Sequence, residues 1–542
     1  MQPDPIKQPE SKDPFLQRAV EYWLDSANEL GYQPLFCEWL VTQGLVLKYS
    51  IKNTHFEQGK DVVAVAKDGT PHAYQLKGGS INLKRWREEV KPEIDALIGC
   101  AIQHPDIDKT KPHVSYLVTN GEIEDNVRVE IVALNEKTWK TNPLHTWVRG
   151  DLLNGFQGMA EGILPKDALT YKKLTDLIFA DGSGLADIPK INAFLSEILN
   201  IKDLGLKKEQ RKRDVAAAML YATMIAGPYR KMGNHASVVR IMTLLLSLIF
   251  HLVDKYRLED RYWLESYEII WADIIETTKL LEGEVNTQGF DPAFNDPFDT
   301  DLIPFRKHSA SSTIYALKLS QFIDSNEEWK NMLAPEVALK YKASIALWGE
   351  ASLLQLFFLP LIFKNIPDAK KTAVTLLQTG INHIVQLNGR KSKNPMGLVS
   401  PYYDLDFAVK FSYRLLEDEF EDKTKGDSYF LKLFIEMLVR LQERDFIAQQ
   451  WKEISFMHFE EFIPVDPIDY YLWRIEKGEN RTVLPKKEKS WGELKSEAAS
   501  FDGKSLPETL KRFPGFIPFF LTLFPHRMNS DVLGFLFTCC TK

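Results

Sequence analysis

The stretch GKDVVAVAKDGTPHAYQLKGG, Gly59 to Gly79, decides how this chain is read. Two apolar runs, DVVAVA and HAYQLK, flank the turn-forming KDGT, which predicts an antiparallel hairpin. Half-buried strands favour apolar and β-branched residues. Asp61 at the head of the first run, and Gln75 and Lys77 at the end of the second, therefore need a reason. Strand periodicity puts Gln75 and Lys77 on one face and Leu76 on the other, and pairing across the hairpin brings the two polar residues beside Asp61.

Before the hairpin, FLQRAVEYWLDSANELG has helical spacing with Gly31 as its stop, and PLFCEWLVTQG reads as a second helix ending at Gly44. LVLKYSI is a short β-type run. After the hairpin, INLKRWREEVKPEIDALIGCAIQH returns to the helical period and HVSYLVTNG is a strand. RVEIVALN either continues the sheet or opens a helix, and LHTWVRGDLLNGF is a strand running into a helix. Residues 15–160 thus form an α/β unit behind a disordered tail, 1–14. From 165 to 476 the patterns are helical, and a C-terminal helical segment follows over 477–542.

The chain has 542 residues, 44% hydrophobic and 26% charged, which suits large cores and argues against global disorder. A net charge of −7 carries no global signature of nucleic-acid binding, although a basic patch on one domain is compatible with it. The four cysteines lack paired zinc-ligand spacing, so a reducing cytoplasm is the simple reading. The polar, proline-containing N-terminus is no signal peptide, LLLSLIF and LLQLFFLPLIF are too short to span a bilayer, and CCTK is a poor prenylation box.

The first 160 residues resemble the PD-(D/E)xK nuclease superfamily, the restriction-endonuclease-like fold, in its Mrr-type branch with Gln in place of the second acid. The resemblance rests on Asp61, on Gln75-Leu76-Lys77, on a helix carrying Glu38 just before the sheet, and on the following helix and the strand SYLVTNG. It implies a magnesium- or manganese-dependent site in which Asp61, Gln75, the Leu76 backbone carbonyl and Glu38 hold the ion and Lys77 orients the attacking water. The residue types suit that chemistry. Phosphodiester hydrolysis needs a divalent cation on hard oxygen ligands, and an ammonium offsets charge building on the phosphate. An amide at position 75 removes one negative charge, so a further carboxylate is expected: Glu38, with Glu57 and Glu21 as alternatives. Lys84, Arg85 and Arg87, with Trp86 among them, are candidate contacts to DNA phosphates, against the plainer reading of a solvated helix face paired with Glu88 and Glu89.

Weaker patterns remain. RKMGNH fits the Arg-x4-His spacing of HEPN ribonucleases at Arg230 and His235, although a structural loop is the simpler reading. Asp291, Asp296, Asp299 and Asp301 lack EF-hand spacing and read as a solvated connector, and no Walker A loop is present. A nuclease joined to a large helical region resembles prokaryotic antiviral defence or restriction effectors. That resemblance implies DNA as substrate, a partner such as an ATPase or sensor subunit, and a homodimer or larger assembly; no membrane association is expected, because the apolar runs are too short to span a bilayer. Two alternatives stay open: a non-catalytic scaffold that binds DNA or protein, and a metal-independent ribonuclease at Arg230 and His235.

Overall fold

Val62–Val65 and Pro71–Lys77 are adjacent antiparallel strands, with Val62 opposite Tyr74 and Val65 opposite Pro71. The turn follows from its residues: Gly69 takes φ +85°, and the Asp68 carboxylate accepts the Thr70 N–H at 2.8 Å. The structure is a computed structural model that describes residues 24, 27, 29–50, 60–108, 111–163, 168–203, 205–288, 303–324, 349–364, 366, 369–392, 398–403, 426–472, 480–483 and 488–541. The tail 1–14, the alternatives Glu21 and Glu57, and the acidic stretch at 291–301 lie outside these residues.

The chain divides into two compact units, Met1–Asn234 and His235–Lys542. The first is built on a five-stranded sheet in sequential order: β1 (Val46–Ser50), β2 (Val62–Val65), β3 (Pro71–Lys77), β4 (Val114–Thr119) and β5 (Leu144–Trp147). β1, β2 and β3 pair antiparallel, while β3, β4 and β5 run parallel. The parallel crossovers are helical, as parallel pairing requires. The first contains the π-helical Trp86–Val90 and helix α2 (Lys91–Gly99), and the second is helix α3 (Asp125–Lys137). RVEIVALN is therefore helix, part of α3, whose buried stripe is Val127 and Ile131.

Two layers cover the sheet. On one face Val63, Ala73 and Leu117 pack against Trp86, Val90, Ile94, Leu97, Ile131 and Trp139. On the other lies helix α1 (Glu29–Thr42), where the Phe36 ring meets Tyr74 edge-on at 5.3 Å. This helix runs straight through Gly31, where the sequence predicts a stop. Gly31 lies in the first turn of this helix, where a glycine costs about 1 kcal/mol or less, and the fully buried Tyr32, Phe36 and Leu40 more than offset that. The compact unit also extends past residue 160. Ala168–Ile178, Ile188–Ile198 and Lys208–Lys231 are helices within it.

The second unit is largely helical but not all-α. Asp427–Ser428, His458–Phe462 and Asn480–Val483 form a three-stranded sheet, the last of them inside the segment expected to be helical. These runs are too short for a β period to stand out in sequence. Helix His235–Tyr256 is long and apolar enough to cross a membrane, although LLLSLIF alone reads as too short, and 89% of its apolar window is buried inside the protein. The C-terminal segment is tied to this part of the unit by polar contacts. The Asp254 carboxylate accepts from the Thr509 hydroxyl (2.6 Å) of that segment, as well as from the Tyr471 hydroxyl (3.2 Å) before it, and Arg512 grips Asp260 through two contacts of 2.6 and 2.7 Å.

Glu350 is fully buried at the start of a short 3-10 helix, and its Oε2 accepts the N–H groups of Tyr429 (2.9 Å) and Phe430 (2.6 Å). Burial pushes its carboxyl up to about 8. A raised folded-state value means that stability is fully present below the ordinary carboxyl range and is lost as pH rises toward 8. Glu350→Gln keeps an oxygen for both N–H groups and removes the titration. The wild type should lose about 2–4 kcal/mol of stability relative to this variant between pH 5 and 8, seen as a falling melting midpoint. Parallel pH profiles in thermal denaturation would refute this reading.

Candidate active site

Register and strand parity place the motif residues. Val62 faces Tyr74 across the hairpin, so Asp61 stands opposite Gln75, and the Asp61 N–H donates to the Tyr74 carbonyl at 2.9 Å. Asp61 shares a face with Val63, and Gln75 and Lys77 share a face with Ala73, which is the face covered by α2. The structure thus brings Asp61, Gln75 and Lys77 together at the carboxyl end of β3. Leu76 turns the other way and is buried on the α1 side, opposite Val118 of the parallel ladder.

Each polar group has a defined state. Asp61 Oδ2 accepts the Leu76 N–H at 2.6 Å, so the carboxylate completes the ladder where β2 has not yet begun. Gln75 is 5% exposed, and its buried Oε1 has no hydrogen-bond partner among the described residues. An orphaned amide oxygen of this kind is costly to bury and fits a ligand position for a hard cation. Lys77 forms an ion pair with Glu93 of α2, Nζ to Oε2 2.5 Å, with the ammonium side chain 11% exposed.

The helix carboxylate is where the structure departs from the sequence reading. Glu38 is exposed, half a helical revolution away from the residues of α1 that face the sheet. The first residue of that helix, Glu29, reaches the site end instead, and its Oε1 accepts the Gly78 N–H at 3.0 Å. The Tyr32 hydroxyl lies beside it and is shared between the carbonyls of Lys77 (3.0 Å) and Val118 (3.3 Å). Burial, with Glu29 and then Asp61 adding to it, holds that hydroxyl well above its usual range, so it stays a donor. Sequence reasoning missed Glu29 because Gly31 read as a boundary. Continuing the period through it puts residues 29, 32, 36 and 40 on one face. Glu93 was missed as well, although it flanks the apolar stripe Val90, Ile94 and Leu97.

The glycine pair after Lys77 turns the chain. The Gly78 N–H is taken by Glu29, the Gly79 N–H by Asn120 Oδ1 (2.6 Å) and the Gly79 carbonyl by Thr119 Oγ1 (2.6 Å). Arg85 Nη1 donates to the Gly78 and Ser80 carbonyls at 2.6 and 3.1 Å. Of the three cations expected on DNA, Arg85 therefore braces this loop and also pairs with Glu89, and Arg87 pairs with Glu130 at 3.3 Å, while Lys84 is exposed. Trp86 is fully buried in the core, not placed among phosphate contacts. Arg230 and His235 belong to different units, and the His235 imidazole lies 3.1 Å from Glu284. Among the described residues no group of three or more His, Cys, Asp or Glu is arranged to hold a metal.

Comparison of the chain with protein-family models, curated proteins and solved structures gives no match.

The loop geometry makes one position intolerant. A Cβ on Gly121 would lie 2.2 Å from the Gly79 carbonyl carbon and from the Ser80 nitrogen, both backbone atoms. Gly121→Ala should destabilise the first unit by about 2–3 kcal/mol, in the range of forced overpacking. Gly150→Ala, which meets nothing within 4 Å, should be near neutral. Equal denaturant midpoints for the two variants would contradict the packing described.

Proposed function

We propose that this chain is a metal-dependent endodeoxyribonuclease, the effector of a prokaryotic antiviral defence or restriction system. Its helical region would serve sensing or partner binding, with an ATPase or sensor subunit as the class of partner. The observation that carries the reading is the buried Gln75 Oε1, without a hydrogen-bond partner among the described residues, standing opposite Asp61 and on the same face as Lys77.

The donors fit a small hard cation, since Asp61 offers a carboxylate and Gln75 an amide oxygen, and one or two protein ligands suffice for an ion that keeps its waters. Bound there, magnesium or manganese supplies Lewis acidity toward a phosphate oxygen and acidifies a water. The chain's own residues do the rest. The Lys77 ammonium faces the same side and offsets the charge that develops on the phosphate as the P–O bond breaks. The Leu76 N–H holds Asp61 in place, so that carboxylate is preorganised. The braced Gly78–Ser80 loop fixes the end of β3 and thereby the direction of Lys77.

One observation favours a second reading, a non-catalytic scaffold that binds DNA or protein. Asp61 already has the Leu76 N–H on one oxygen, and with an amide at position 75 the site carries little negative charge. Manganese titration separates the two readings. The nuclease reading expects binding that Asp61→Ala abolishes, and the scaffold reading expects none.

The nuclease reading also expects plasmid cleavage in magnesium or manganese that falls by about a hundredfold or more in both Asp61→Ala and Lys77→Ala, the scale of losing a positioned catalytic group. Equal cleavage by the wild type and both variants would remove these residues from the mechanism.

A further inference from the structure

Glu93 is an unusual residue for its place. Its helix buries Ile94 and Leu97 against the sheet, the preceding segment buries Trp86 and Val90, and the neighbouring acids Glu88 and Glu89 are exposed. Glu93 instead stands one turn from Val90 and from Leu97, on the flank of the buried stripe. Its side chain is 42% exposed, yet its Oε2 is buried and lies 2.5 Å from Lys77 Nζ. A buried carboxylate oxygen needs a compensating charge, and a lysine with only 11% of its side chain exposed needs one equally. Neither Asp61, whose Oδ2 is on the Leu76 amide, nor the uncharged Gln75 fills that role in the ion pair the structure contains.

We infer that Glu93 is a positioning residue of the site: it holds the Lys77 ammonium and fixes the direction in which that group meets substrate. The inference rests on the nuclease reading for its catalytic consequence, but the pairing itself does not. Lys77 is a flexible side chain with four rotatable bonds, and a lysine left without a partner would sample other directions. Glu93 approaches from a helix that the core pins through Ile94 and Leu97, so the restraint comes from packed secondary structure. The alternative is a plain structural staple of α2 onto β3, which would act on stability and leave turnover alone.

The test uses the full chain with Glu93→Gln and Glu93→Asp. Lys77 is first labelled with an amine-acylating reagent at one fixed pH, and its modification is quantified by peptide mass spectrometry. Lys77 should react about threefold faster or more in Glu93→Gln than in wild type, and Glu93→Asp should fall between them. Plasmid cleavage is then measured with manganese. Glu93→Gln should lower kcat about tenfold with KM within about twofold, and Glu93→Asp should recover part of the loss. Equal labelling in wild type and Glu93→Gln overturns the pairing. Faster labelling with a lowered melting midpoint and unchanged kcat overturns the positioning role in favour of the staple. A wild type that cuts no DNA under any condition counts against the nuclease reading, and the labelling result then decides whether Glu93 holds Lys77.

Discussion

The first unit depends on how the carboxyl ends of β3 and β4 are closed. Parallel strands that stop side by side leave backbone groups that must find partners when buried. Asn120 meets most of this need. Its Oδ1 takes the Gly79 N–H, and its Nδ2 donates to the carbonyls of Leu24 (2.6 Å) and Ala27 (2.7 Å), joining the β3–α2 connection to the chain before α1. Tyr32 spans the same gap from α1, with one hydroxyl shared between the carbonyls of the two strands. With those ends fixed, Gln75 and Lys77 stand at a rigid strand end.

The distribution of charge over the two sheet faces follows from the same frame. The α1 face is aromatic: Tyr74 and Tyr116 stack at 4.9 Å, and Trp147 lies 4.8 Å from both Tyr116 and Trp39. The α2 face is mainly apolar, with Val63, Ala73 and Leu117 against Trp86, Val90 and Ile94, and its charged groups Asp61, Lys77 and Glu93 lie with Gln75 toward the carboxyl end of β3. A polar cluster confined to one strand end, next to a closed apolar core, has a low local dielectric, which strengthens each charge interaction and makes each unpaired group expensive. The second unit uses buried polar groups differently. Asp254 and Asp260 accept hydroxyls and a guanidinium that fasten the C-terminal segment, and Glu350 anchors the backbone of Tyr429 and Phe430.

Sequence alone determined the hairpin, its turn, the common face of Asp61, Gln75 and Lys77, and the α/β character of the first unit. These depend on periods of two and 3.6 and on turn chemistry, which are local. It did not determine which carboxylates join them. Gly31 carries a local stop signal that the burial of Tyr32 and Phe36 overrides, and Glu29, the first residue of that helix, is the α1 carboxylate that reaches the Gly78 N–H while Glu38 is exposed. Glu93 and Arg85 sit on a helix whose rotation about its axis is set by Trp86, Val90 and Ile94 packing into the sheet, so only tertiary structure could direct one at Lys77 and the other into the glycine loop. The short strands of the second unit were hidden for the same reason: two to five residues carry no period of their own, and they become strands because neighbours distant in sequence supply their hydrogen bonds.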